Sequence, residues 1–436
     1  MIKDPQFLDS PQFVSALNQC IHCGMCLQSC PTYNVLGTEM DSPRGRIALM
    51  RAGLENKFEP ELFFNSFERH ITLCLACRAC ETACPSGVKY GELIESARYV
   101  VEANRSAGFL ERITRWAGTK QVMPHPSRIK LLARFLYLYQ TSGMQKIIRK
   151  YSLLPKSMEA MEAILPELIN PSNQVNDFAP AYGNKKGDVL FFTGCIQEGF
   201  LPRVNQATIN LLRRNGYDVY TPEDQTCCGA AHAHLGDLEF AKKLARKNID
   251  IFLNNKNSYV AIINNAGGCG AALKEYPHLL KDDSAYSRKA QAFSSKVMDI
   301  NEFLVENLNT PPAGEIRIRA TYSDSCHLRH SQKVVEQPRE LLQQIPGLVL
   351  VELSNPDLCC GSAGVYNLTQ IDTAGRILEA KLKDIKATGA ELVVTSNTGC
   401  QLQLIAGIRK VGLDIKVMHV AEVLEWSYSK QENGIM

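Results

Sequence analysis

The sequence predicts an α + α/β protein: a helical amino-terminal domain built around two cysteine phrases, then a duplicated α/β cysteine-rich domain. Three observations predict it. The phrase Cys-x2-Cys-x2-Cys-x3-Cys-Pro is written twice within the first hundred residues. Four further cysteines, Cys195, Cys227, Cys228 and Cys269, are echoed by Cys326, Cys359, Cys360 and Cys400 at offsets of 131, 132, 132 and 131. Around that second set, apolar strand-like runs alternate with helical patterns, the signature of parallel sheets.

Composition bounds the answer. A chain of 436 residues exceeds one small module, so two to four domains are expected. With 45% hydrophobic residues, sizeable cores are within reach. A net charge of +3 excludes bulk attraction to nucleic acid. The sixteen cysteines fall into metal-ligand phrases, which points to a reducing cytosol rather than a disulfide framework. The opening MIKDPQFLDSPQF lacks the apolar core of a secretory signal, and no stretch holds eighteen uninterrupted apolar residues. A cytoplasmic protein is expected, soluble or peripheral on the inner face of the membrane.

Residues 1–100 carry the two phrases, Cys20, Cys23, Cys26, Cys30 and Cys74, Cys77, Cys80, Cys84. Their spacing is the bacterial ferredoxin run for two [4Fe–4S] clusters: three thiolates wrap one cube, and the fourth, before a proline, turns to the other. Cys20, Cys23, Cys26 and Cys84 are the expected ligands of one cluster, and Cys74, Cys77, Cys80 and Cys30 of the second. Zinc needs only four ligands in two pairs, and an even run of three suits a cube better. Between the phrases, Arg46–Leu54 and Glu61–Ile71 place apolar residues at helical spacing, and another helix is expected from Gly91 to about Asn104. This is a helical two-cluster ferredoxin domain rather than the compact β-containing kind.

Residues 101–186 read as a basic helical connector. Up to position 160 it has 11 basic and 3 acidic residues, an excess of 8. Apolar patches such as Leu131–Tyr139 lie between the charges. A basic amphipathic helix suits an anionic membrane surface or a partner protein, and a plain helical hairpin with a solvated face fits equally well. Asn170–Lys186, with its Pro, Asn and Gly, reads as a linker.

Residues 187–310 and 311–436 form the duplicated domain, because repetition at a fixed offset marks a copied unit. In each copy strands run into cysteines: Val189–Phe192 before Cys195, Val260–Asn264 before Cys269, Ile318–Tyr322 before Cys326, Leu392–Thr395 before Cys400. Helical patterns follow at Leu238–Phe252 and Ala374–Lys386. Ligands of parallel sheets gather beyond the carboxyl ends of the strands, where these cysteines fall. Glycine after each vicinal pair lets the backbone close around a bulky ligand. A further iron–sulfur cluster, a four-cysteine zinc site and a dithiol–disulfide pair all fit the eight thiols. Nearby His22, His232, His234, His327 and His330 are read as locally hydrogen-bonded rather than as ligands. No dinucleotide fingerprint and no Walker loop occurs, so no flavin is expected on this chain.

Two ferredoxin phrases followed by two Cys…Cys-Cys-Gly…Cys domains resemble a group of electron-transfer proteins. It includes the glycolate oxidase iron–sulfur subunit family, the electron-transfer subunit of anaerobic glycerol-3-phosphate dehydrogenase and the catalytic subunit of heterodisulfide reductase. The glycolate oxidase family is the best match phrase by phrase: Cys20-Ile-His-Cys-Gly-Met-Cys-Leu-Gln-Ser-Cys-Pro-Thr-Tyr, Asp41-Ser-Pro-Arg-Gly-Arg-Ile, and Cys80-Glu-Thr-Ala-Cys-Pro-Ser-Gly-Val-Lys-Tyr. The heterodisulfide reductases end their cysteine-rich motif in Cys-x2-Cys, whereas Ala266 and Asn397 stand at the first position here, so disulfide chemistry is disfavoured. The resemblance implies the electron-transfer subunit of a flavin-dependent 2-hydroxy-acid dehydrogenase, acting on glycolate or D-lactate. It implies an FAD-containing partner that performs the oxidation in a hetero-oligomeric complex, a quinone or other acceptor, and no catalytic residue on this chain. A thiol–disulfide enzyme and a glycerol-3-phosphate dehydrogenase subunit are the alternatives.

Overall fold

A computed structural model describes residues 10–55, 60–105, 108–169, 175–254 and 258–433. Among the described residues no strand occurs before position 178, so the amino-terminal part is helical as expected. Its helices are Pro11–Asn18, Pro31–Leu36, Pro43–Leu54, Pro60–Thr72 and Tyr90–Asn104. The first four begin on proline, whose fixed φ and missing N–H suit the first helical turn. Ser10 and Ser42 accept from the N–H groups of Phe13 and Gly45 and so cap two of the helices. Leu17, Met50, Phe67, Ile71, Leu93 and Ile94 close one core between the helices.

The connector is helical too, with helices Phe109–Trp116, Pro126–Thr141, Met144–Tyr151 and Lys156–Ile164. The segment read as a linker departs from expectation. Residues 170–174 lie outside the described residues, but Phe178–Ala179 forms a short strand, β1, that adds antiparallel to a sheet edge with Phe178 opposite Tyr220. Two residues before a proline leave almost no alternation to read.

The first repeat contributes β2 (Gly187–Phe192), β3 (Tyr217–Tyr220), β4 (Ala261–Asn264) and β5 (Val297–Asp299), in the order β1-β3-β2-β4-β5. The second contributes β6 (Ile318–Tyr322), β7 (Leu348–Leu350), β8 (Leu392–Thr395) and β9 (Lys416–His419), in the order β7-β6-β8-β9. Apart from β1 all pairings are parallel, and the two copies share one topology. Side chains alternate across a strand, so Val189 and Phe191 of β2 face a core shared with Ala320, Tyr322 and Val394 of the other copy, while Leu190 and Phe192 face a separate one. One core joins the two repeats back to back, and the cysteine loops emerge at the carboxyl ends of their strands.

Candidate metal centres

Both ferredoxin phrases bend their backbones in the same way. His22 and Gly24 of the first have φ of 53° and 81°, and Ala76 and Arg78 of the second 52° and 62°. Three of these four residues carry a Cβ and adopt a left-handed conformation that costs about 1–2 kcal/mol each. Both loops take it at the same two positions after the first cysteine, so the thiols curl inward and backbone N–H groups turn toward sulfur. The Ala76 N–H lies 3.3 Å from Cys74 Sγ and the Val88 N–H 3.5 Å from Cys84 Sγ.

Cys30 is buried, as are Cys74, Cys77 and Cys80. Burial raises the Cys77 and Cys80 thiols, and Cys74 and Cys30 add to the rise in both. Cys30 also acts on Cys26 of its own phrase, so it lies between the two thiol sets. Cys20, Cys26 and Cys84 pack against the edge of the same helical core, half-exposed, and Cys23 is exposed. Burial raises the Cys26 thiol, opposed by a hydrogen bond from the Arg44 backbone N–H. Four soft donors per set on loops of repeated shape fit a [4Fe–4S] cube.

The Pro43-Arg44-Gly45-Arg46 segment does more than begin helix Pro43–Leu54. Arg44 donates to the His22 carbonyl at 3.1 Å and pairs with Glu39 at 2.8 Å, holding the first loop. Arg46 is fully buried, donating to the His70 carbonyl at 2.7 Å and to Thr32 Oγ1 at 3.1 Å, with Asp41 at 3.7 Å. Asp41 also meets His70 Nδ1 at 2.7 Å, and Thr32 Oγ1 lies 3.2 Å from Cys30 Sγ. Burial opposes the Arg46 charge, yet Cys74, Tyr90, Cys30 and Asp41 together push its pKa up, so it remains a cation beside the buried set. Sequence reading missed this network, because an arginine on a helix reads as solvated until its surroundings are known.

In the first cysteine-rich repeat Cys195 Sγ lies 3.6 Å from Cys227 Sγ, and Cys228 interacts with Cys269. In the second, Cys360 Sγ lies 3.2 Å from Cys400 Sγ, and Cys359 interacts with Cys326. Each glycine after a vicinal pair has positive φ, 87° at Gly229 and 81° at Gly361, and donates its N–H back to Cys227 or Cys359. The structure thus unites all four predicted thiols of each half. Among the described residues no three His, Cys, Asp or Glu side chains are arranged to hold a single metal ion.

The second half holds a buried lysine beside its thiols. Contact with Cys227, and then burial, raises the Cys195 thiol. Contacts from Cys326 and Cys360 hold Cys359 well below the usual thiol range, contacts from Cys360 and Asn397 lower Cys400, and Lys381 assists both. Lys381 is fully buried and donates to the Pro356 carbonyl at 2.9 Å. The helix that carries it is offset by 133 from its counterpart, because Gly229 packs on Ala241 and Gly361 on Ala374, and the first repeat has buried Asn248 in its place. Asn397, where the heterodisulfide reductases place a cysteine, donates to Cys400 Sγ at 3.3 Å and accepts from the Gly268 N–H at 3.0 Å. It ties the two halves together at their cysteine loops.

The second half abuts the buried ferredoxin set. Cys77 shares an apolar cluster with Cys359, Tyr366 and Cys326, and Cys359 is the largest electrostatic neighbour of its thiol. His327 Nε2 lies 3.0 Å from the Ala76 carbonyl and His330 Nδ1 2.9 Å from Thr82 Oγ1. Arg78 grips Glu275 of the first repeat through both guanidinium nitrogens, with 2.9 Å at Nη2. His232 meets the Thr119 carbonyl at 2.8 Å. These three histidines serve as hydrogen-bonding groups.

Comparison with known proteins finds matches along most of the chain. The 4Fe–4S dicluster domain matches residues 16–88, and the cysteine-rich domain matches 189–274 and again 320–405. The linker region of the glycolate oxidase iron–sulfur subunit matches 110–165. A probable glycolate oxidase iron–sulfur subunit of Bacillus subtilis is 42% identical over 424 residues, covering 94% of this chain and 93% of that one. This chain belongs to the glycolate oxidase iron–sulfur subunit family. The glycolate oxidase iron–sulfur subunit of Escherichia coli is 35% identical, covering 96% of this chain and 95% of its own length. A lactate utilization protein A from Exiguobacterium is 33% identical over 238 residues, 54% of this chain. As a member of this family the chain is an iron–sulfur protein with a dicluster domain and two cysteine-rich domains. No helix among the described residues is long and apolar enough to cross a membrane.

Proposed function

We propose that this chain relays electrons from an FAD-containing dehydrogenase subunit that oxidises glycolate or D-lactate to a quinone or other acceptor, as a peripheral protein on the cytoplasmic face of the membrane. The observation that carries the reading is contiguity: a thiol set at the surface with Cys23 exposed, a buried thiol set, and a second cysteine-rich half in contact with the buried set through Cys77 and Cys359. Cys20, Cys23, Cys26 and Cys84 are assigned to the outer [4Fe–4S] cluster, and Cys74, Cys77, Cys80 and Cys30 to the inner one. Such cubes move single electrons, which suits a flavin that accepts a hydride pair and releases it stepwise.

When bound, the clusters supply the redox chemistry, and the residues of this chain hold them and set their surroundings. Exposed Ile21, Cys23 and Met25 give the outer set a surface lip where an electron donor can approach. Burial and the Arg46 charge govern the inner set, because fixed charge and exclusion of water tune cluster potentials. Cys195, Cys227, Cys228 and Cys269 with Cys326, Cys359, Cys360 and Cys400 are assigned as two further four-thiol sites. In the second, Cys326, Cys359, Cys360 and Cys400 lie in contact as the soft donor set that a further cluster takes.

The test uses anaerobically purified full-length protein, its iron and sulfide content and its EPR. Glycolate or D-lactate is expected to reduce the clusters only when the FAD-linked partner is present. Reduction of a heterodisulfide by the isolated chain, or failure of the partner to reduce any cluster, overturns the reading.

A further inference from the structure

We infer that the outward face of residues 109–161 is the surface by which this chain docks on an anionic phospholipid bilayer. The inference deepens the peripheral-membrane part of the reading above and rests on it. Among the described residues, 14 of the 23 large hydrophobic side chains left exposed lie in this one segment of 53 residues. A soluble monomer does not gather its exposed apolar groups in that way without a partner for them.

Their placement is regular. Helix Phe109–Trp116 buries none of its residues, and it exposes Phe109, Leu110, Ile113 and Trp116, the i, i+1, i+4, i+7 stripe of an amphipathic helix. Helix Pro126–Thr141 repeats that stripe with Leu131, Leu132, Phe135 and Leu138. Its opposite face fixes its orientation, because Ile129 and Ala133 are buried and Ile129 fills the space above Gly199 of the first cysteine-rich repeat. The stripe therefore points away from the protein. Helix Met144–Tyr151 likewise buries nothing and exposes Met144, Ile147 and Tyr151.

Charge selects the occupant. Several cations of the segment are spent inside the molecule: Arg115 on Glu102, Lys120 on Asp237, Lys130 on Glu198 and Arg149 on Glu162. Arg112, Arg128, Arg134, Lys146 and Lys150 form no ion pair among the described residues, and all five are exposed on the same helices as the apolar stripes. Exposed Trp, Phe and Leu flanked by unpaired Lys and Arg on helices too short to span is the pattern of an interfacial helix on anionic lipid.

The experiment is vesicle co-sedimentation of the anaerobically purified, cluster-loaded full chain, with phosphatidylcholine vesicles and with vesicles carrying about one-third phosphatidylglycerol. Binding to the anionic vesicles is expected to be at least about tenfold tighter than to neutral ones and to fall at least about tenfold when salt rises from about 50 to about 500 mM. Two variants are read alongside, Phe135→Ser with Leu138→Ser, and Arg112→Gln with Arg134→Gln and Lys150→Gln. Both alter exposed side chains, and iron content and circular dichroism verify that each remains folded and loaded. Each is expected to lose at least about tenfold in anionic-vesicle binding while keeping its reduction by the FAD-linked partner, which separates failure here from failure of the electron-relay reading. Equal binding to the two vesicle types, or variants that bind as wild type, overturns the inference. Unchanged vesicle binding with lost assembly onto the flavoprotein or onto a second copy overturns it too and reassigns the face to protein.

Discussion

Replacing Arg46 by Met tests the reading of the buried network most directly. The methionine keeps the apolar stem and removes the charge. Lost with it are the 2.7 Å bond to the His70 carbonyl, the 3.1 Å bond to Thr32 Oγ1 and the pairing with Asp41, whose carboxylate stays 3% exposed. Breaking a buried pair by removing one partner costs about 3–5 kcal/mol, because the remaining charge is left without compensation. Asp41 keeps His70 at 2.7 Å, so the lower end, about 3 kcal/mol, is expected. A second effect is electrical. A unit charge acting through an effective dielectric of about 20 is worth roughly 2 kcal/mol at about 8 Å, and removing a cation near Cys30 and Cys74 should lower the inner cluster's reduction potential by on the order of 50–100 mV. The assays are anaerobic urea unfolding followed by circular dichroism, and an EPR redox titration of both clusters. Stability within about 0.5 kcal/mol of wild type, or equal displacement of both potentials, would refute the argument.

Three further outcomes are expected. Gly45→Ala drives a Cβ into the Glu39 carbonyl oxygen, a rigid backbone neighbour, and should cost at least about 2 kcal/mol in the same unfolding assay. Cys74→Ser should remove about four iron atoms and one EPR signal, and full iron content would reject the assignment of Cys74 to the inner cluster. His419 is buried and neutral: Nε2 donates to the Asn265 carbonyl at 2.8 Å, Nδ1 accepts from the Ala421 N–H at 3.0 Å, and burial lowers its pKa to about 4. The unfolded chain takes up this proton first, near pH 6.5, so the contribution of His419 is complete above about pH 6.5 and is lost as pH falls toward about 4, about 3 kcal/mol in all. His419→Gln should flatten that part of the pH–stability curve, and an unaltered slope between about pH 6.5 and 4.5 would exclude His419 as its source.

The fold class and the duplication of the cysteine-rich unit were legible because they depend on spacing. The offset of 131–132 between cysteines announced a copied α/β unit, and the two copies have the same strand order. Helix Tyr90–Asn104 falls within one residue of the expected start, and the helices begin where proline and serine announce them. What stayed hidden is what the sequence writes only once and far apart. Lys381 looks like any surface lysine on an amphipathic helix, and its neighbours Cys359, Cys360 and Cys400 reach it only through the fold. The contact of Cys77 with Cys359 joins positions 282 residues apart, and neither phrase carries a sign of the other. Strand β1 was missed for a simpler reason: Phe178–Ala179 is too short to show any period.

The clamp between the amino-terminal helices and the cysteine-rich repeats also bears on how the protein ages. Arg78 on Glu275, His327 on the Ala76 carbonyl and Thr82 on His330 hold the loop that carries Cys74, Cys77 and Cys80 against the repeats, whereas Cys23 stands open to solvent. A cavity lined by Cys74, Leu75, Arg98 and Tyr366 leaves that loop one open side. On the ligand assignment proposed above, oxygen in air meets the Cys23 side first, and a partly damaged protein should retain the cube on Cys74, Cys77 and Cys80 while losing the other.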